Sequence, residues 1–112
     1  MNKGELIYLA CPYSHKDDAV KQERFEKVNK AAARLMAEGY YIFSPISHTR
    51  PIEIAGSLPG DWQYWERYDR AIIKSCKGLM VLRLPGWEKS TGVTAEIKIA
   101  TELGLRIEYI DG

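Results

Sequence analysis

Ser90-Thr91-Gly92-Val93-Thr94-Ala95-Glu96 sets a hydroxyl, a glycine and a carboxylate in one short segment. The residues before it, Gly78 to Leu84, are apolar apart from Arg83 and read as a strand. A strand, a small polar loop and a helix start make a ready anion site, because the first backbone N–H groups of a helix have no partner within it. A carboxylate beside such a site is placed to act as base, acid or nucleophile on a phosphorylated or hydroxylated ligand. A plainer reading is also open: Thr91 or Thr94 caps the helix, and Glu96 merely complements its dipole. The elements around this segment have to decide between the two.

Leu6 to Cys11 is a continuous apolar run, the mark of a strand buried on both faces, and Pro12 ends it. From Lys16 to Glu38 the apolar residues Ala19, Val20, Phe25, Val28, Ala32, Leu35 and Met36 recur at helical spacing, and Gly39 is a natural stop. Tyr40 to Ser44 reads as a second strand. Residues 45–60 hold Pro45, Pro51 and Pro59 with Gly56 and Gly60, which predicts a long loop, and loops of that length are usually functional or mobile. Helical spacing returns from Asp61, a candidate N-cap, to Cys76. The third strand, a loop over 85–91, a helix over Val93 to Leu103 and a last strand from Arg106 to Ile110 complete the chain.

This alternation predicts an α/β fold: a three-layer α/β/α sandwich around a small parallel sheet, flavodoxin- or Rossmann-like, with strand order 2-1-3-4. Such sheets bind ligands beyond the C-terminal ends of their strands, where the strand order reverses. Here that point lies between the first and third strands. It gathers the 12–15, 45–60 and 85–92 segments, and Glu96, at one crevice.

With 112 residues the chain is long enough for one domain and one core. Sixteen basic residues against fifteen acidic ones leave a net charge of +1, so nothing global favours a nucleic-acid polymer or an anionic membrane. Any anion recognition has to be local. Cys11 and Cys76 lie in apolar surroundings at no metal-ligand spacing and read as buried, reduced thiols; no metal or cofactor is expected. The apolar run at the N-terminus is too short for a signal sequence or a membrane span, and a cytoplasmic location is expected.

Three segments now stand in order: Ile7-Tyr8-Leu9-Ala10-Cys11-Pro12, Tyr68-Asp69-Arg70-Ala71-Ile72, and Ser90-x-Gly92-x-x-x-Glu96. Together they resemble the nucleoside 2-deoxyribosyltransferase superfamily, which also contains the 2′-deoxynucleoside 5′-phosphate N-hydrolases. The resemblance spans nearly the whole chain, with Cys11 standing where the family has a glycine. It implies that Glu96 attacks C1′ of the sugar as the base departs, giving a covalent glycosyl intermediate. It implies that Tyr8 holds Glu96 and that Asp69 binds a sugar hydroxyl or assists proton transfer. From the residues alone, Tyr8 is equally a core aromatic, and Asp69 a solvated helix position paired with Arg70 or Lys74.

Ser90 stands six residues before Glu96, where the nucleoside-using transferases of this superfamily commonly carry an acidic residue. A carboxylate there would repel a 5′-phosphate, whereas a serine hydroxyl and the N–H groups around Gly92 can donate to it. Pro12, Tyr13, Ser14 and His15 would add contacts from the first loop. His48 and Trp62 are candidates to stack on the base, while Trp65, spaced with Ile72, reads as core. The expected substrate is therefore a small nucleotide or nucleoside, and the expected reaction is hydrolysis of its N-glycosidic bond. Transfer of deoxyribose between bases and a catalytically silent nucleotide sensor are the alternatives.

The superfamily often completes its site with residues near the C-terminal end of a neighbouring subunit. A chain closing at Gly112 is expected to lack that complement. A homodimer or higher oligomer is expected all the same, because Tyr64, Trp65 and Tyr68 cannot all face one core from a single helix.

Overall fold

The computed structural model describes all residues, Met1–Gly112. Its elements are β1 (Leu6–Ala10), α1 (Asp18–Ala37), β2 (Tyr41–Phe43), α2 (Pro45–Gly56), α3 (Trp62–Lys74), β3 (Gly78–Leu82), α4 (Thr91–Glu102) and β4 (Arg106–Ile110), with a 3-10 turn at Trp87–Lys89. The four strands form one sheet in the order β2-β1-β3-β4, and every pairing is parallel. Tyr8 lies opposite Phe43 on one side and Leu79 on the other.

Side chains of β1 and β3 alternate between two cores, as the two-residue period of a strand requires. Ile7, Leu9, Met80 and Leu82 pack with Val28, Ala31, Ala32 and Leu35 of α1. Tyr8, Ala10, Leu79 and Val81 face the opposite way, onto Ile73 of α3 and Val93, Ile99 and Ala100 of α4. The helices thus cover both faces, which is the expected three-layer α/β/α sandwich. Because α1 follows β1 on one face and α4 follows β3 on the other, the loops leaving these adjacent strands part. The gap between them is the switch-point crevice.

Local chemistry sets the element ends. Asp17 caps α1, its carboxylate accepting from Ala19 N–H at 2.9 Å. Asp61 caps α3 as expected, accepting from Tyr64 N–H at 3.2 Å. Ser90 caps α4, so that helix starts two residues before the expected Val93.

The segment 45–60 departs most from expectation: it is mostly helix, not loop. Pro45 occupies the first turn, where a missing N–H costs nothing, so it starts α2 rather than preventing it. Pro51 lies inside the helix and removes one intrahelical bond. Ser57, in the left-handed conformation at φ 52°, ends it. The inward face of α2 carries Ile46, Thr49, Arg50 and Glu53, all buried.

Candidate active site

The crevice between β1 and β3 is an open cleft. Four segments wall it: Cys11, Tyr13 and Ser14 after β1; Pro45, Ile46, Thr49 and Glu53 of α2; Gly60 to Trp62, Trp65 and Asp69 at α3; and Ser90, Gly92 and Glu96 at α4.

At its floor Tyr8, Asp69 and Glu96 come together from β1, α3 and α4. Tyr8 is fully buried, and its hydroxyl donates to Glu96 Oε2. Glu96 and Asp69 are both buried. Asp69 Oδ1 has no hydrogen-bond partner in the chain, although a buried polar atom normally finds one. Burial is the main cause that lifts Asp69 to about 7 and Glu96 to about 8; the Tyr8 hydroxyl opposes both shifts. The Asp69 charge pushes Glu96 further up, and the Glu53 charge does the same to Asp69. Interacting carboxyl groups titrate as a pair, so near neutral pH this one holds about one proton: one acid and one base side by side. Burial, then the two neighbouring carboxylates, keep the Tyr8 hydroxyl well above its ordinary value, so it remains a donor.

The start of α4 forms a second part of the cleft. Ser90 Oγ accepts from Val93 N–H at 3.2 Å, which leaves its own hydroxyl proton free to donate. Thr94 N–H returns to Ser90 O at 3.0 Å. With Val93 N–H taken by the Ser90 side chain, the N–H groups of Thr91 and Gly92 are left without a partner at this helix start. A Cβ at Gly92 would meet only Trp62, at an ordinary 3.8 Å, so the space over this glycine belongs to the cleft rather than to the chain's packing. Beyond Ser90 and Gly92 the cleft widens into a hollow that Lys89 borders.

A third part was not legible in the sequence. Arg50 and Glu53 of α2 converge on Tyr13, whose hydroxyl accepts from Arg50 Nη1 at 2.6 Å and donates to Glu53 Oε2 at 3.0 Å. Gln22 Oε1 takes the remaining Arg50 contacts, from Nε at 3.2 Å and Nη2 at 3.1 Å. A helical reading of 45–56, with Ile46, Arg50 and Glu53 at helical spacing, would have found this face.

The other expected contacts divide. Tyr13, Ser14, Trp62, Ser90 and Gly92 line the cleft as expected. Trp65 lines it too, contrary to its reading as core; its indole N–H donates to Pro59 O at 2.8 Å. Pro12 is fully buried and does not line the cleft, because the turn after β1 directs it into the interior. His48 is also absent from the cleft. It projects from the outer side of α2, where Nε2 lies 3.0 Å from the Tyr68 hydroxyl and the two rings stack. His15 Nδ1 accepts from Asp17 N–H at 2.9 Å and so helps to start α1. Cys11 and Cys76 are free buried thiols, pushed by burial to about 12 and about 11, which rules out a ready thiolate. No group of three or more His, Cys, Asp or Glu side chains is arranged to hold a metal ion. No helix is long and apolar enough to cross a membrane.

Fold and cleft define a small three-layer α/β/α protein whose candidate site occupies the switch point of a parallel sheet. Residues 5–111 match the family described as a domain of unknown function, DUF1937, and the chain belongs to that family. No curated protein matches it.

Proposed function

We propose that the protein cleaves the N-glycosidic bond of a nucleoside 5′-monophosphate, with Glu96 as nucleophile. The observation that carries this reading is the buried Tyr8–Glu96–Asp69 cluster at the floor of an open cleft. Burial leaves the shared proton mainly on Glu96, and the Tyr8 hydroxyl, donating to Glu96, favours its passage to Asp69, the state in which Glu96 is ionised for attack. A Glu96 oxygen bonds to C1′ while the C1′–N electron pair goes to the base, which takes the proton from Asp69. Water then bonds to C1′ and gives its proton to Asp69, and the Glu96 carboxylate leaves with the electrons of its ester bond. Both carboxyl groups regain their starting states.

The α4 start supplies the phosphate contacts, and Trp62 and Trp65 offer flat faces to the base. The test is incubation with a panel of deoxynucleoside and nucleoside monophosphates, with and without an acceptor base. Free base released without acceptor supports hydrolysis. A new nucleotide formed only with acceptor means transfer, and neither product overturns the reading. Glu96→Ala should lower base release by several orders of magnitude, beyond the roughly 10²–10⁴ that an assisting acid or base contributes. A variant that keeps a tenth of the activity would remove Glu96 from the nucleophile's role.

A further inference from the structure

We propose that Glu53 reads the hydrogen-bonding edge of the base and selects an amino group over a carbonyl at that edge. This rests on the N-glycosidase reading of the same cleft, and extends it to the chemical class of the leaving base.

The cleft has two ends. Past Ser90 and Gly92 it opens toward Lys89; past Tyr13, Glu53 and Gly60 it opens toward Lys21 and Arg50, and these two hollows share no residue. With Glu96 and Asp69 at the floor between them and phosphate donors at the first end, the second end receives the base. Glu53 is the carboxylate on the cleft wall there, only 6% exposed. Its Oε2 accepts from the Tyr13 hydroxyl at 3.0 Å, and the Trp65 side chain also favours its charged form.

The atoms behind Glu53 favour its role as an acceptor. The Tyr13 hydroxyl spends its proton on Glu53 and accepts from Arg50, and Gln22 occupies the rest of Arg50's inner face. Burial raises Glu53, while Tyr13 and the nearby Lys21 and Arg50 cations pull it back. What the wall presents is therefore a fixed acceptor. A ligand N–H satisfies it, whereas a ligand carbonyl would set two acceptors against each other in a desolvated place. Asp69 is committed to the bond being broken and cannot make this distinction.

The experiment measures kcat/KM for base release, and binding by calorimetry, on two matched pairs: cytosine against uracil monophosphates, and adenine against hypoxanthine monophosphates. The amino member should lead by at least about tenfold in whichever ring size the cleft accepts. Glu53→Gln keeps the carbonyl oxygen that Tyr13 bonds and turns an NH₂ toward the cleft, so the preference should reverse or vanish. Tyr13→Phe frees Glu53 from its anchor and should reduce discrimination without reversing it.

Equal release from both members of each pair, or a lead by the oxo member, overturns the role of Glu53 and leaves the glycosidase reading standing. Full amino preference in Glu53→Gln also overturns it. Absence of both binding and release across all four substrates overturns the glycosidase reading and this proposal with it. Should Glu53→Gln fail to fold, the wild-type comparison still decides.

Discussion

Burying Glu96 costs the fold stability, and its titration makes that cost measurable. An ordinary glutamate ionises near 4.3 in an unfolded chain, whereas burial lifts Glu96 to about 8 in the folded one. Between these values the folded state binds more protons than the unfolded state, so stability falls as pH rises through that window. The contribution is fully present below the unfolded value and lost above the folded one. Glu96→Gln removes the titration and keeps an oxygen for the Tyr8 hydroxyl. The variant should therefore melt close to wild type at pH 5 and clearly higher at pH 8.5. Each kcal/mol recovered moves the midpoint of a domain this size by roughly 4–8 °C. A melting difference that is the same at both pH values would mean that Glu96 is not held neutral by burial. Stabilisation by removing an active-site charge is the usual sign of a site maintained for chemistry.

Among the elements, α4 and α2 differ in how far their roles could be read beforehand. The start of α4 carries its own punctuation, since Ser90, Gly92 and Glu96 have the types and spacing that cap a helix and edge an anion site. If its free N–H groups and the Ser90 hydroxyl hold a 5′-phosphate, monophosphates should bind at least tenfold tighter than the matching nucleosides, from charge-assisted bonds of about 1.5–3 kcal/mol each. Ser90→Asp can still cap α4, so it should fold normally while eroding or reversing that preference. Calorimetry with one nucleoside and its monophosphate decides, and equal affinities would overturn the phosphate assignment. β1, α1 and β3 were equally legible, because their inward faces are apolar and keep the strand or helix period. α2 inverts that rule. Thr49, Arg50 and Glu53 face inward to the site, while Ile52 and Ile54 are 45% and 64% exposed. A search for apolar periodicity cannot see a helix whose buried face is polar, and three prolines between residues 45 and 59 argued for a loop. The same inversion hid Arg50 and Glu53, and it sent His48 to the outside.

At the scale of the whole molecule, topology places the site and leaves an unfinished surface. The strand order β2-β1-β3-β4 opens the sheet at β1 and β3, so Tyr8, Asp69 and Glu96 meet although 88 residues separate the first from the last. Only 30 of the 112 residues are buried, and α3 keeps Tyr64 and Tyr68 at 49% and 42% exposure on one face. Both rings pack edge-on against Trp65, with centroids 5.1 and 5.5 Å away, so the aromatic surface is rigid and costs little entropy to cover. Such an interface needs about 800 Å² from each partner, roughly an eighth of the 6466 Å² that the chain exposes. The expected state at tens of micromolar is a homodimer joined through this face of α3, with a scattering mass about twice the 12.8 kDa of one chain. Tyr64 makes no side-chain hydrogen bond and does not line the cleft, so Tyr64→Glu should separate the protomers without unfolding either. A wild-type mass of one chain at that concentration would show instead that the α3 face stays in water. A dimer that survives Tyr64→Glu would move the interface elsewhere.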